Sequence, residues 1–233
     1  PVDSINPQDF RQFITVDLED RALPNWMLRN RWYGESIGIE TIVQPWFLES
    51  EIEYFDSDWA LYRNLRQDII DNPLVPSELK DYTRDLRVDE DKPSDSLDNM
   101  SAAARLTWKT EQTDYAVSYH YGWESLPTIT SFPVKNINYS GEPDPNLAKL
   151  LEDAVFTDEN VQSKYKRQQT VGFEWETVLD PVGFRGEIAY IDHVAFLSSD
   201  LTSKRKPVTH LVSGIDYTSA TEWYFNLQGS WFY

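Results

Sequence analysis

The stretch that most constrains the fold is residues 169–190, which alternate apolar and polar side chains on both sides of a turn. Val171, Phe173 and Trp175 fall on one face of an extended chain, and the residues between them fall on the other. The alternation resumes after the segment Leu-Asp-Pro-Val-Gly at 179–183, where Ile188 and Tyr190 again share a face. A two-residue period broken by a Pro/Gly turn predicts a long β-hairpin.

The same period recurs along the chain, and the connections between the segments differ in length. Short turns are predicted at 34–36, 111–114, 179–183 and 218–221. Long loops are predicted at 48–98 and 123–168, with a shorter loop at 192–207. Short turns on one rim and long loops on the other are typical of a transmembrane barrel, with the short turns on the periplasmic side. The pattern therefore predicts an all-β fold, an antiparallel transmembrane up-and-down β-barrel, complete or partial, with about eight strands.

The predicted barrel is a single domain over residues 1–233, and its long extracellular loops are partly helical. Residues 1–22 are predicted to be an irregular polar segment. Residues 59–70 have helical spacing behind Ser57 and Asp58, which serve as a predicted N-cap. Further short helices are predicted at 77–86 and 146–154, with a charged link at 88–98.

Alternation alone does not decide whether the apolar face meets lipid or a protein core, because a soluble barrel has the same period. Aromatic residues near strand ends, as in the interfacial girdles of membrane proteins, favour lipid. The predicted lipid or interface residues are Trp26, Trp32, Trp108, Tyr115, Phe173, Trp175, Ile188 and Tyr190. The opposite face mixes both charge signs and is predicted to line a hydrated lumen through Arg29, Arg31, Glu40, Arg105, Lys109, His120, Glu174, Glu176, Arg185 and Glu187.

Composition excludes several classes of protein. The net charge of −18 argues against a nucleic-acid partner, because binding phosphates requires a basic surface. The absence of cysteine excludes disulfides and cysteine-ligated metals. No stretch approaches the roughly 20 apolar residues of a spanning helix. The chain opens without a signal peptide and closes inside an apparent strand, so we expect a mature chain lacking segments, or a fragment.

Catalytic and metal-binding patterns are weak. His120, His193 and His210 lie on separate predicted elements, and no G-x-S-x-G motif is present. Glu174 and Glu176 stand about 7 Å apart on one strand face, which a charge ladder in a lumen explains more simply than acid–base catalysis. Acidic clusters at 56–58, 89–91 and 153–158 do not match a calcium-binding loop. We therefore predict no enzyme activity, no catalytic residue, no metal and no cofactor.

Four segments resemble a known family: NPQDFRQF at 6–13, LEDRALPNWMLR at 18–29, GFRGEIAY at 183–190 and GIDYTSATEWYFNLQ at 214–228. The family consists of large Gram-negative outer-membrane β-barrels, known mainly as a domain of unknown function. In that family a signal sequence and earlier strands precede the first segment, and further strands follow the last one. The resemblance implies an outer-membrane location and a porin-like or export-related role.

The functional prediction is the passage or transport of an unidentified solute through an outer-membrane β-barrel of a Gram-negative bacterium. Outer-membrane lipid is the expected surrounding, and a protein partner or a homo-oligomer stays open. One alternative is a structural barrel that docks a partner protein. Another is a soluble β-barrel that binds an apolar ligand inside.

Overall fold

The computed structural model describes residues 5–12, 15–17, 20–60, 62–73, 75–135, 155–157, 159–197 and 203–233. The elements follow the order β1 (Leu28–Tyr33), β2 (Ile37–Gln44), α1 (Arg63–Asp71), α2 (Ser77–Asp85), β3 (Val88–Asp91), a 3₁₀ turn (Leu97–Asn99), β4 (Ser101–Lys109), β5 (Thr113–Trp123), β6 (Thr128–Ser131), β7 (Val134–Lys135), β8 (Val155–Phe156), β9 (Val161–Lys164), β10 (Arg167–Leu179), β11 (Val182–Leu197), β12 (Ser203–Thr218) and β13 (Tyr224–Phe232).

The eight longest strands form one antiparallel sheet in the order β1-β2-β4-β5-β10-β11-β12-β13. Each strand pairs with the next of the eight along the chain, so the sheet is a meander. The predicted all-β, antiparallel architecture is thereby confirmed. Within the described residues β1 and β13 are edge strands that do not pair with each other, and the sheet is not a closed barrel. No helix there is long and apolar enough to cross a membrane.

The short turns all lie at one end of this sheet, as the sequence predicts. They connect β1 to β2, β4 to β5, β10 to β11 and β12 to β13. The described residues within 45–100 and 124–166 connect the strands at the other end. The predicted loop at 192–207 is wrong: β11 continues to Leu197 and pairs with β12 from Ser203 onward. A register shift between Ile191 and Val194 interrupts the alternation, and this explains why the sequence pattern ends too early.

In a water-soluble protein the apolar face of a sheet is buried and the polar face is exposed. In the large sheet of this protein the arrangement is reversed. Large apolar side chains stand on one face and are exposed, such as Leu28 at 72% and Trp32 at 57%. The residues that are buried, including Ile42, Ala116 and Ala189, lie on the face that also holds the charges. The sheet therefore curves around its polar face, and its apolar face is convex.

Glycines on the polar face make room for side chains of the neighbouring strands. A Cβ atom added to Gly172 would lie 2.5 Å from Oγ of Ser118, and one added to Gly38 would lie 2.6 Å from Oγ1 of Thr107. Both distances are too short for a real contact, so a larger residue at either position would displace its neighbour. The polar face is thus packed closely between neighbouring strands.

The described residues of the two long connections, within 45–100 and 124–166, form a second, smaller unit, which we call the loop cap. In it β9 pairs in parallel with β3 and antiparallel with β6, while β7 pairs with β8. Val75, Val161 and Tyr165 are buried. The rings of Phe47 and Tyr165 meet edge to face with their centroids 4.8 Å apart. The loop cap has an apolar interior, like an ordinary soluble domain.

The predicted loop helices are correct in part. Helix α2 matches the prediction for 77–86 closely. Helix α1 begins at Arg63 and not at 59, and no side chain caps its first turn. The reason is a backbone turn in which Ala60 N–H donates to the Ser57 carbonyl, while Tyr62 N–H donates to the distant Tyr54 carbonyl. The charged link at 88–98 includes β3 and the 3₁₀ turn. The helix predicted at 146–154 lies outside the described residues.

Residues 5–8 lie at the loop end of the polar face. Pro7 is fully buried, and the side-chain amide of Gln44 in β2 donates a hydrogen bond of 2.7 Å to the Ile5 carbonyl. Gln8 N–H donates to Oγ of Ser50 at 2.9 Å. The predicted irregular segment is therefore anchored at these positions to both the sheet and the loop cap.

Candidate functional site

The polar face of the large sheet holds all ten residues predicted to line a lumen. They come from six strands, with Arg29 and Arg31 in β1, Glu40 in β2, Arg105 and Lys109 in β4, His120 in β5, Glu174 and Glu176 in β10, and Arg185 and Glu187 in β11. Strand register places them in rows across the sheet, so that Arg31, Glu40 and Arg105 are consecutive neighbours. The structure brings these residues onto one surface, and their role as a lumen lining stays a prediction.

Ion pairs between neighbouring strands organise this face. Both Arg29 and Arg31 bind the carboxylate of Glu40, with N–O distances of 2.8 and 2.7 Å. Arg105 reaches across β5 to Glu174 at 2.6 Å. These side chains are partly exposed, so each pair contributes about 0–1 kcal/mol to stability. The ion pairs contribute more to the geometry of the face than to stability, because they hold charges of both signs in fixed positions.

Two charges on this face were missed by the sequence analysis. Asp114 was assigned to a turn, but it lies in β5 and pairs with Lys109 at 2.9 Å. Asp216 lies in β12, where its carboxylate covers Gly183 of the neighbouring strand. Alternation was the available signal, since Asp114 shares a face with Ala116, and Asp216 shares one with Gly214.

Two cavities lie against the polar face. The larger, about 700 Å³, is at the short-turn end and is lined by residues of all eight strands of the large sheet, including Lys109, Asp114 and Arg185. The smaller, about 350 Å³, is at the loop end and is lined by residues such as Ile5, His120 and Thr170. Both cavities are open to solvent-sized molecules and have charged walls, so they suit polar solutes better than apolar ones.

The convex face carries seven of the eight predicted lipid-facing residues within strands. Four of them form an aromatic cluster near the short-turn end: the rings of Trp108 and Tyr115 are stacked at 5.2 Å, and Phe173 lies 5.8 Å from Trp175. Ile188, Tyr190 and Trp32 complete the seven. Trp26 precedes β1, which begins at Leu28, and it is highly exposed.

A bidentate ion pair joins the sheet to the loop cap. The two terminal nitrogens of the Arg205 guanidinium, Nη1 and Nη2, each donate to Glu124 at 3.0 Å, and Gln168 and Thr128 donate to the same carboxylate. Burial raises the pKa of Glu124, and the hydrogen bond from Arg205 offsets this only in part. Arg205 belongs to β12 and Glu124 follows β5, so the pair links two strands that are not neighbours in the sheet.

The acidic clusters at 56–58 and 89–91, weighed as calcium sites, are engaged in contacts within the protein, and the acidic residues of the third cluster, Asp153 and Asp158, lie outside the described residues. Asp89 accepts hydrogen bonds from Asn160 and Gln162, and Asp91 pairs with Lys164 at 2.9 Å. In the described part of the chain, no three His, Asp or Glu residues are grouped closely enough to hold a metal ion.

No family model, curated protein or solved structure matches this chain. The resemblance to outer-membrane barrels therefore stays a prediction, and the functional argument depends on the geometry of the two faces.

Proposed function

We propose that the large sheet is part of the wall of a transmembrane β-barrel in the outer membrane of a Gram-negative bacterium, and that a polar solute passes along its charged face. The observation that carries the proposal is the inverted polarity of the sheet. Charged residues lie on the concave side, and exposed aromatic and aliphatic residues lie on the convex side. In water the convex face would be an unusually large apolar patch, whereas against lipid it is stable.

Strand length supports the same proposal. Strands β5, β10, β11 and β12 contain 11, 13, 16 and 16 residues. A tilted strand needs about 9–11 residues to cross the hydrocarbon core. These four strands are therefore long enough to span it, and the aromatic cluster of Trp108, Tyr115 and Trp175 falls near one end of the span, where membrane proteins concentrate Trp and Tyr.

The position of the cavities distinguishes this proposal from the soluble alternative. A barrel that binds an apolar ligand needs an apolar interior. Here the cavities are lined by charged groups such as Glu40, Arg105 and Glu174, and most of the large exposed apolar side chains of the sheet stand on the opposite face. The alternative in which the barrel docks a partner protein is separated from solute passage by the second experiment below.

The first experiment measures which face is accessible to water. The chain has no cysteine, so Val117→Cys and Ser118→Cys each introduce a single thiol on opposite faces of β5. In lipid vesicles a charged, water-soluble thiol reagent is expected to label Ser118→Cys and not Val117→Cys. Both variants should be labelled equally in urea, which is the control. Equal labelling in vesicles, or labelling of Val117→Cys alone, would contradict a lipid-facing convex side.

The second experiment tests passage itself by recording current across planar bilayers that contain the protein. Discrete steps of conductance are expected if the charged face lines an open path. A protein that inserts, as judged by the labelling pattern above, but carries no current would overturn solute passage and favour the partner-docking barrel.

A further inference from the structure

The polar face of the large sheet is open near its short turns and covered toward the loop cap. A row of neighbouring residues near the short turns is charged and exposed: Lys109, Asp114, Glu176 and Arg185. A row nearer the loop cap is buried, each member at 9% exposure or less: Ile42, His120, Thr170 and Val208. Water therefore reaches the polar face more readily from the short-turn end than from the loop end.

Residues 5–10, which we call the cover segment, are in contact with this buried part of the face. Ile5 lines the smaller cavity together with Ile42 and Thr170. The side-chain amide of Gln44, itself 7% exposed, donates a hydrogen bond of 2.7 Å to the Ile5 carbonyl. Gln44 lies two residues beyond Ile42 on the same face of β2, so this bond holds the cover segment against the polar face.

Backbone hydrogen bonds fix the cover segment from the side of the loop cap. Phe10 N–H donates to the Glu51 carbonyl at 2.7 Å, and Glu51 N–H donates to the Gln8 carbonyl at 2.9 Å. Leu23 N–H donates to the carbonyl of Pro7 at 2.8 Å, and Pro7 itself is fully buried. Since it is bonded both to the sheet and to the loop cap, the cover segment keeps a defined position at the loop end of the face.

We propose that the cover segment narrows the loop end of the path along the polar face, and that it thereby limits the passage of solute. This inference rests on the proposed function, because a restriction acts only where solute passes. The cavity that Ile5 helps to line has a volume of about 350 Å³, against about 700 Å³ for the cavity at the short-turn end. The sheet forms one wall of the narrow part, and the cover segment contributes to the other.

The lining of the narrow part suits a restriction that acts most strongly on ions. The charged residues of the smaller cavity all line the larger cavity as well: Glu40, Arg105, Glu174 and Glu187. Among the described residues, those that line the smaller cavity alone include no Asp, Glu, Lys or Arg. Several of them are apolar, namely Ile5, Ile42, Ala103 and Ala189. Apolar constrictions oppose ions because an ion loses its water there without gaining a charged partner.

The first test compares thiol labelling at the two ends of the polar face and does not require conductance. The chain has no cysteine, so Thr170→Cys and Glu176→Cys each place one thiol on the same face of β10. In detergent micelles a bulky, uncharged maleimide is expected to label Thr170→Cys about tenfold more slowly, because it must wait for the cover segment to open. Removal of residues 1–10 should abolish most of this difference. Thr170→Cys is expected to fold, because Oγ1 of Thr170 has no hydrogen-bond partner among the described residues.

The second test measures the size of single conductance steps in planar bilayers with potassium chloride. Ile5→Gly removes a side chain from the narrow part and should enlarge the steps, whereas Ile5→Trp should reduce them. Gln12→Gly and Gln12→Trp are the matched controls, since Gln12 is exposed and lines neither cavity, and they should leave the steps unchanged. The Ile5 variants decide the question whether or not the chain without residues 1–10 folds.

The outcomes separate this inference from the proposed function. Labelling of Thr170→Cys as fast as Glu176→Cys would overturn the restriction and leave solute passage standing. The same holds if both Ile5 variants conduct with the step size of the Gln12 controls. Slow labelling of Thr170→Cys that persists without residues 1–10 would assign the cover to the loop cap and overturn the role of the cover segment. An inserted protein without conductance would overturn the proposed function, and this inference with it.

Discussion

The loop cap and the large sheet differ in where their apolar side chains lie. In the loop cap Val75, Val161 and Tyr165 are inside, and charged residues such as Asp89 are at the surface. In the sheet the apolar residues are outside, and charged residues such as Glu174 face the cavities. Both regions belong to one chain and meet at the ends of the same strands.

This difference shows that one solvent alone does not explain where the apolar side chains lie in both regions. A region with its apolar side chains inside is consistent with water on its outer surface. A region with its apolar side chains outside requires an apolar medium or a large partner. The boundary between the two patterns lies where the strands of the large sheet end, and we infer that this is where the membrane interface would lie. The following predictions test whether the two regions respond independently.

The largest effect is expected in the loop cap. Tyr165 is 4% exposed, contacts Phe47 and donates a hydrogen bond to Glu90. Tyr165→Ala should destabilise the loop cap by about 3–5 kcal/mol, because it leaves a cavity in a small apolar interior. Limited proteolysis should then cleave residues 45–100 faster, while the protein remains in the membrane. Leu97→Ala, at a highly exposed position of the same region, is the control. Loss of the sheet together with the loop cap would show that the two regions are one cooperative unit.

A smaller effect is expected on the convex face of the sheet. Val117→Arg places a charge in the middle of β5 and should weaken folding into lipid vesicles by about 2–4 kcal/mol. Urea titration of the vesicle-bound protein measures this change. The matched variant Leu65→Arg, on the exposed surface of α1, should change stability by less than about 0.5 kcal/mol. Equal effects of the two substitutions would remove the contrast between the regions.

The smallest effect is a dependence of the loop cap on pH. Burial acts to raise the pKa of Glu49, but the hydrogen bond from Lys92 at 2.6 Å, a backbone hydrogen bond and the charge of Lys92 together outweigh it, and the pKa lies below its usual value. The opened loop cap therefore binds more protons, so its opening is favoured as the pH falls through the glutamate range. The contribution is about 0–1 kcal/mol, because the pair is largely exposed. Proteolysis of the loop cap should accelerate on acidification, and less so in Glu49→Gln. A rate that slows as the pH falls would contradict this sign.

The sequence predicts the large sheet well because each strand can be recognised from a short, continuous stretch of residues. Alternation over six or more residues, with short turns between, identifies each of the eight strands and assigns Phe173 and Glu174 to opposite faces. Glu40, Arg105, Glu174 and Glu187, which line both cavities, were all among the predicted lumen residues. Their convergence on one surface follows from register and curvature, which alternation does not specify.

The loop cap could not be predicted in the same way, because its contacts are distant in sequence. Asp89 in β3 and Gln162 in β9 are hydrogen-bonded across 73 residues. Strands of four residues, such as β3 and β9, are too short to show a period. The start of α1 depends on a backbone bond between Tyr62 and Tyr54, and the extension of β11 depends on the register shift after Ile191. None of these is visible as a local pattern.

The ion pair between Glu124 and Arg205 has a mechanical consequence. Strands β10 and β11 lie between β5, which Glu124 follows, and β12, which contains Arg205. On a flat sheet the backbones of β5 and β12 would therefore be about 14 Å apart. The side chains nevertheless meet at 3.0 Å. The ion pair therefore connects the two outer strands of a curved group of four, and its short length limits how far these four strands can flatten. Breaking this one ion pair would allow the loop end of the sheet to widen.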